Sequence, residues 1–190
     1  MDALFTAGYF FKLAEMYSVT NFTGVPYMML QLIDNKNSKG HDISSLRFIC
    51  FGGAPTPAEK IKLLTASFPD IDFIHMYGQT EASTRISHLL PDDSAGRPGS
   101  VGKPIPDVEW KVIDEEGKDA KEWDIGEVIV KGSNVMKGYY KRKEQTRETI
   151  KSGWLYTGDM GRLDGEGFLY ITGRKRNVLI KGGMNIYPEE

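Results

Sequence analysis

This sequence is most informative first in what it lacks. Its 190 residues hold one cysteine, Cys50, set in an apolar run. Neither an internal disulfide nor a cysteine metal cluster can be built from it, which fits a reducing compartment. No apolar run approaches the roughly 20 residues of a membrane-spanning helix, so no membrane span is expected. Residues 1–13 are partly apolar, but Asp2 and the want of a basic leader argue against a signal peptide. Neither sign of charge dominates: 24 Lys and Arg against 26 Asp and Glu give a net −2. No basic field is left to attract nucleic acid or an anionic membrane. The three histidines, His41, His75 and His88, stand at no metal-binding spacing. There is no internal repeat and no low-complexity tract. Asn21-Phe22-Thr23 matches a glycosylation sequon, which chance explains in a chain of this class. The length allows one domain or two small ones, and a cytoplasmic location is expected.

The stretch around which the chain is organised is Tyr77-Gly78-Gln79-Thr80-Glu81. It follows an apolar run at 71–76 that reads as a buried strand. An aromatic ring, a glycine, a hydroxyl and a carboxylate are thus delivered together at a strand end. Tyr77 offers a face to a base, Gly78 a close backbone approach, and Thr80 a hydroxyl to phosphate. Glu81 is a hard oxygen ligand for Mg²⁺. The plain alternative for these five residues alone is a strand-to-helix turn with a packed Tyr and a solvated Glu.

Earlier segments supply the frame. Residues 1–17 carry apolar positions at mixed helical spacing, and 19–23 are β-rich. The run from Tyr27 to Ile33 looks helical, with Pro26 near its first turn. Residues 46–51 form the next strand, followed by Gly52-Gly53-Ala54-Pro55. Thr56 is expected to cap a helix with Pro57 first inside it and Glu59 closing a capping box. The order β-α-β-α-β with short links predicts a parallel sheet, whose ligands bind outside the carboxyl ends of the strands. Beyond a Pro-, Gly- and Asp-rich stretch at 91–106 the period becomes two. Short strands with glycine turns, among them 126–131, 168–171 and 177–180, suggest a small barrel or curled sheet. The charged segment 141–151 reads as a solvated helix.

In this half Tyr156-Thr157-Gly158-Asp159 reads as a compact polar turn tipped by a carboxylate, and a carboxylate can accept from two ribose hydroxyls. Arg174-Lys175-Arg176 follows Gly173 and would balance phosphate charge. Each has an ordinary reading too, as a plain turn and a solvated basic turn. Two glycine motifs fail on inspection. Around 97–104 the first phosphate-loop glycine is replaced by Arg97 and the magnesium-binding hydroxyl by Pro104. At 165–170 the dinucleotide fingerprint ends in Tyr170.

The order of motifs is what carries a resemblance. Gly52-Gly53-Ala54 is followed by the 77–81 stretch, then Gly126-Glu127-Val128 with Gly138-Tyr139-Tyr140. Next come Gly153-Trp154-Leu155-Tyr156-Thr157-Gly158-Asp159, Gly173-Arg174, and the run from Lys181-Gly182-Gly183 to Glu190. From about Val19 onward this series resembles the AMP-forming adenylating enzymes: acyl-CoA synthetases, peptide-synthetase adenylation domains and luciferases. The resemblance implies an α/β fold, a parallel βαβ sheet portion followed by a small β-barrel-like subdomain, within the family's large N-terminal domain. Residues 1–95 would form the α/β nucleotide and acyl subdomain and 96–173 the β-rich one. Residues 174–190 would hold the hinge and the start of a C-terminal domain.

The implied reaction has two steps. A small-molecule carboxylate attacks ATP to give acyl-adenylate and pyrophosphate, and a thiol then takes the acyl group and releases AMP. The thiol belongs to CoA or to a carrier's pantetheine arm. By matched position Gly52, Gly53, Ala54, His75, Tyr77, Gly78 and Thr80 would border the nucleotide. Asp159 and Arg174 would hold the ribose. Thr80 and Glu81 would be the catalytic pair, with Glu81 holding Mg²⁺. Arg176 matches the hinge, and Gly182 and Gly183 the thiol tunnel. His75 stands where many relatives carry Asn. The family's phosphate loop would lie upstream of residue 1 and its C-terminal lysine beyond Glu190, so the chain alone is expected not to turn over. Small, uncharged Val25, Gly52, Gly53, Ala82 and Ser83 near the acyl pocket lean toward a fatty or general acyl substrate. Other readings are carrier-protein loading and a non-catalytic nucleotide-binding fragment or partner subunit. A homodimer or a complementary fragment is the expected macromolecular partner.

Overall fold

The computed structural model describes residues 5–34, 40–94, 96–177, 179–181 and 184–186. In chain order the elements begin α1 (Ala7–Met16), β1 (Asn21–Gly24), α2 (Pro26–Asp34), β2 (Phe48–Gly52), α3 (Ala58–Ser67) and β3 (Asp72–Tyr77). A 3-10 turn at Thr80–Ala82 precedes β4 (Ser87–Leu89), the short α4 (Pro91–Ser94), β5 (Lys103–Pro104), β6 (Val108–Ile113) and β7 (Gly126–Gly132). Then come α5 (Lys143–Thr149), β8 (Ile150–Lys151), β9 (Trp154–Leu163) and β10 (Leu169–Arg174). A 3-10 turn at Lys175–Asn177, β11 (Leu179–Lys181) and β12 (Met184–Ile186) complete the order. No helix among the described residues is long and apolar enough to cross a membrane. The chain divides into two compact units, Met1–Met76 with Leu89–Gly99, and Tyr77–His88 with Ser100–Glu190.

The first unit is the parallel α/β portion. Strands β1, β2 and β3 lie side by side in parallel, with Phe22 opposite Ile49 and Ile49 opposite Phe73. Helix α1 begins where the Thr6 hydroxyl accepts from the Tyr9 N–H at 3.3 Å, an N-cap that satisfies one orphan donor. It buries Ala7, Phe10, Phe11 and Ala14, a stripe at helical spacing. Helix α2 opens on Pro26, whose missing N–H costs nothing at that position. The core gathers Phe10, Phe11, Met29, Leu32, Ile49, Phe51, Leu64 and Phe73.

The capping box expected at α3 does not form. Pro57 itself occupies the N-cap position with ψ 135°, so the helix starts one residue later, at Ala58. Thr56 is then too far back to reach the orphan amides, and its hydroxyl donates to the Ala54 carbonyl at 3.5 Å instead. Glu59 pairs with Lys62 at 2.9 Å rather than with a backbone N–H.

The second unit is built on an antiparallel sheet ordered β10-β9-β7-β6, with β8 paired to β9. Bulges between β7 and β9 and between β9 and β10 curl it into a half-barrel. Tight turns fall at Asp114 to Gly117 and at Asp164 to Gly167, where the Asp164 carboxylate accepts from the Glu166 and Phe168 N–H groups. Alternating residues of the strands, Val112, Val128, Val130, Leu155 and Leu169, fill the core with Tyr77, Ala82 and Ile86. The charged segment expected as helix across 141–151 is shorter, at Lys143–Thr149, and runs directly into β8.

Candidate nucleotide site

The site is organised by a fault in the β7–β9 ladder. Glu127 pairs with Met160 and Ile129 with Tyr156, so three residues of β7 stand against five of β9. Between those pairs Val128 alone stands against Thr157-Gly158-Asp159, a surplus of two residues. The sequence suggested a turn there; the structure shows a bulge inside a ten-residue strand. The confusion has a physical basis, since Gly158 takes φ +71° as a turn glycine would. Thr157 stabilises the bulge from within. Its buried hydroxyl donates to the Val128 carbonyl at 2.6 Å and accepts from the Asp159 N–H at 3.0 Å.

Asp159 is thereby turned inward, with its side chain 5% exposed. Both of its oxygens are engaged. The Tyr77 hydroxyl donates to Oδ2 at 2.6 Å, and Arg174 Nε stands 2.7 Å from Oδ1. Arg174 also donates from Nη1 to the Thr157 carbonyl at 3.4 Å, which ties it to the bulge. Tyr77 ends β3, and Arg174 ends β10, opposite Asp159 in register. Burial first, then the adjacent Asp159 charge, pushes the Tyr77 phenol well above its ordinary value. It stays a neutral donor. Two donors of opposite origin, a neutral phenol and a cation, thus hold the two oxygens of Asp159 in place.

A second carboxylate lies on the 3-10 turn that follows. The Tyr139 hydroxyl donates to Glu81 Oε1 at 2.7 Å. That bond, with burial second, raises the Tyr139 phenol above its ordinary value. The backbone is clasped as well. The Met136 N–H donates to the Glu81 carbonyl at 2.8 Å, and Asn134 Nδ2 donates to the Ala82 and Arg85 carbonyls.

Glu81, Tyr139, Thr157, Gly158, Arg174 and Lys175 are among the residues lining a cleft of 380 Å³, together with Gln79, Glu127, Glu148, Thr149, Lys151 and Tyr156. Three acids and three bases share it. Lys175 is paired with Glu127 at 2.6 Å. The Gln79 amide nitrogen is buried and has no hydrogen-bond partner among the described residues.

Of the residues singled out in the sequence, the fold brings Tyr77, Asp159 and Arg174 into direct contact and sets Glu81 and Arg174 on one cleft. Thr80 is exposed on the same turn as Glu81, and Arg176 is exposed in the turn after β10. Gly78 packs so tightly that an added Cβ would lie 2.1 Å from the Thr84 carbonyl. Gly52, Gly53, Ala54 and His75 belong to the first unit, where buried His75 stacks on Phe51 at 4.8 Å. Gly182 and Gly183 lie outside the described residues. Ala82 is fully buried in the core of the second unit rather than free to line an acyl pocket. The partners missed in the sequence are Tyr139, Thr157 and Glu127. All three sit in quoted motifs, but only the fold reveals that Tyr139 meets Glu81, that Thr157 bonds Val128 and that Glu127 pairs with Lys175.

A family model described as AMP-binding enzyme matches residues 1–140. The chain belongs to the AMP-binding enzyme family. It is 37% identical over 180 residues to a long-chain-fatty-acid–CoA ligase of Bacillus subtilis (strain 168), covering 94% of this chain and 32% of that protein. Among solved structures it is similar to an amide bond synthetase of Marinactinospora thermotolerans. There the TM-score is 0.90 and the identity 31%, covering 96% of this chain and 37% of the other. It is also similar to the O-succinylbenzoate coenzyme A synthetase of Bacillus subtilis solved with ATP and a magnesium ion. In that case the TM-score is 0.86 and the identity 34%, covering 97% of this chain and 38% of the other. The chain thus spans about a third of the length of the relatives it matches. The fold is that of the N-terminal domain of adenylate-forming enzymes, a family that includes CoA ligases.

Proposed function

We propose that this chain carries the ribose- and metal-binding side of an adenylate-forming site. In the whole reaction a carboxylic acid, fatty or other acyl, attacks ATP to give acyl-adenylate and pyrophosphate. The thiol of CoA then takes the acyl group and AMP leaves. The observation that carries this reading is Asp159, a buried carboxylate braced by Tyr77 and by Arg174, which itself lines the cleft.

The remaining residues fit around it. Arg174, held through Nε, keeps cationic character at the cleft for phosphate or ribose oxygen. Tyr77 borders the base in this reading and also fixes Asp159. Glu81 presents a carboxylate to the cleft, with Oε2 not taken up by Tyr139. Among the described residues no group of three or more potential ligands is assembled. That donor set suits magnesium, which commonly binds through one or two carboxylates and the nucleotide's own phosphates. Glu81 would hold the ion, and the ion, when bound, would neutralise charge on the phosphates. The chain's own contribution is position: two carboxylates locked by hydrogen bonds before a ligand arrives.

The acid is less tightly constrained. Gly53 leaves open space around its Cα, whereas Gly52 is already filled by the neighbouring strand. The long-chain fatty acid of one relative and the succinylbenzoate of another share a carboxylate, the group that the first step would activate, and differ widely in the rest.

Calorimetric titration with AMP and with a non-hydrolysable acyl-adenylate analogue tests the reading. Wild type is expected to bind both, and Asp159→Ala to weaken each by more than about 1 kcal/mol, the scale of a lost charged hydrogen bond. A folded Asp159→Ala chain that binds as wild type does overturns it.

A further inference from the structure

We propose that Tyr139 is a positioning residue for Glu81, holding one carboxylate oxygen so that the other is presented to the cleft. The inference rests on the reading of Glu81 as the magnesium-holding carboxylate and adds a residue to which no role has been given. Three observations carry it. The Tyr139 hydroxyl donates to Glu81 Oε1 at 2.7 Å, and both side chains line the same cleft. The same segment grips Glu81 from behind, where the Met136 N–H donates to its carbonyl at 2.8 Å. Glu81 is therefore fixed at both ends, by backbone and by carboxylate. Tyr139 is itself anchored: its N–H donates to Thr146 Oγ1 at 2.9 Å, and that hydroxyl donates to the Arg142 carbonyl at 2.8 Å. The chain of bonds runs from helix α5 through Tyr139 to the carboxylate. Each link is a donor meeting an acceptor, so no member is left to rotate freely.

The physical consequence is selective. A glutamate has three side-chain torsions, and an unbraced one loses that freedom on meeting an ion. Tyr139 imposes the loss in advance, and it does so for the ion rather than for the nucleotide. Removing its hydroxyl should then weaken metal-dependent binding and leave metal-free binding alone.

The test is ATP titration of this chain by calorimetry, in EDTA and again in saturating Mg²⁺. The quantity read is the gain in affinity that magnesium confers. Tyr139→Phe is expected to reduce that gain roughly tenfold, as loss of an outer-shell partner does, while ATP affinity in EDTA stays as in wild type. Glu81→Gln should abolish the gain, and Thr146→Val should reduce it in the same direction by a smaller factor. Tyr140→Phe, which removes the neighbouring exposed hydroxyl, should leave it intact. A Tyr139→Phe chain with the wild-type gain overturns the inference and leaves the adenylate-forming reading standing. An equal loss with and without magnesium also overturns it, because a general structural role would act that way. If wild type takes up no ATP in either condition, the functional reading falls and the inference with it. Should Tyr139→Phe fail to fold by circular dichroism, Thr146→Val decides by the same comparison.

Discussion

Gly52 and Met76 face each other across parallel strands so closely that a Cβ on Gly52 would lie 2.3 Å from the Met76 carbonyl oxygen. The glycine is demanded by the sheet itself, before any ligand is considered. Its neighbour Gly53 is different, with φ +91° and open space around it. Gly52→Ala is expected to destabilise by about 1–3 kcal/mol through overpacking. Gly53→Ala should cost about 1–2 kcal/mol through backbone strain alone. Urea unfolding of the two variants measures both. Space-filling separates the causes: Gly52→Ser should be worse than Gly52→Ala, while Gly53→Ser should match Gly53→Ala.

Tyr77 links stability to alkaline pH. Its phenol is raised well above the ordinary value by burial and then by Asp159. Above about pH 10 the unfolded chain gives up the phenolic proton while the native chain keeps it. The native state then binds more protons, so stability falls as pH rises through that range. Tyr77→Phe should cost about 1.5–3 kcal/mol near neutrality, from the lost bond to a charged acceptor. Its further decline between about pH 9 and about pH 11 should be shallower than that of wild type. Chemical denaturation across that range checks both, and parallel pH profiles would sink the assignment.

Thr157 is the internal brace of the bulge, donating to Val128 and accepting from the Asp159 amide. Thr157→Val keeps the shape and removes both bonds, leaving a buried carbonyl and a buried N–H without this partner. A loss of about 1–3 kcal/mol in stability is expected. Because Asp159 loses its backbone anchor, AMP affinity should drop as well, whereas Thr157→Ser should restore both. Stability measured alongside calorimetry distinguishes this from a packing defect, which serine would not repair.

The Gln79 amide nitrogen, buried with no hydrogen-bond partner among the described residues, is a standing cost. Gln79→Met replaces it with an apolar chain of similar length and flexibility. Thermal unfolding should show no loss and a gain of up to about 1 kcal/mol, since an unmade bond is relieved. A loss of more than about 1 kcal/mol would show that the amide has a role in the fold.

Much of the fold was legible because its signals are local. The βαβ order follows from apolar runs between glycine and proline punctuation, and the hairpins from Asp114-to-Gly117 and Asp164-to-Gly167 turn chemistry. Thr56 and Thr157 show where locality fails. At Thr56 the residue types fitted a capping box, but the ψ of Pro57 moved the helix start by one residue. At Thr157 the types fitted a turn, and only the pairing of β9 with β7 shows a bulge. The contact of Tyr139 with Glu81 joins residues 58 apart in sequence, and that of Tyr77 with Asp159 joins residues 82 apart. Such meetings are set by tertiary packing, so composition and spacing carry no trace of them.

The alternation along β9 ties the site to the core beneath it. Leu155, Thr157 and Asp159 are buried while Tyr156, Gly158 and Met160 between them are less so. The strand is in this sense a ruler with a period of two, zeroed on Leu155. Deleting one residue between Leu155 and Asp159 would remove part of the bulge that turns the carboxylate inward, however well the remaining chain were preserved. Length variation among homologues should therefore collect in the turn at Ser152-Gly153 and stop at Trp154. In a library of single-residue insertions the boundary between tolerated and lost nucleotide binding should fall at that point.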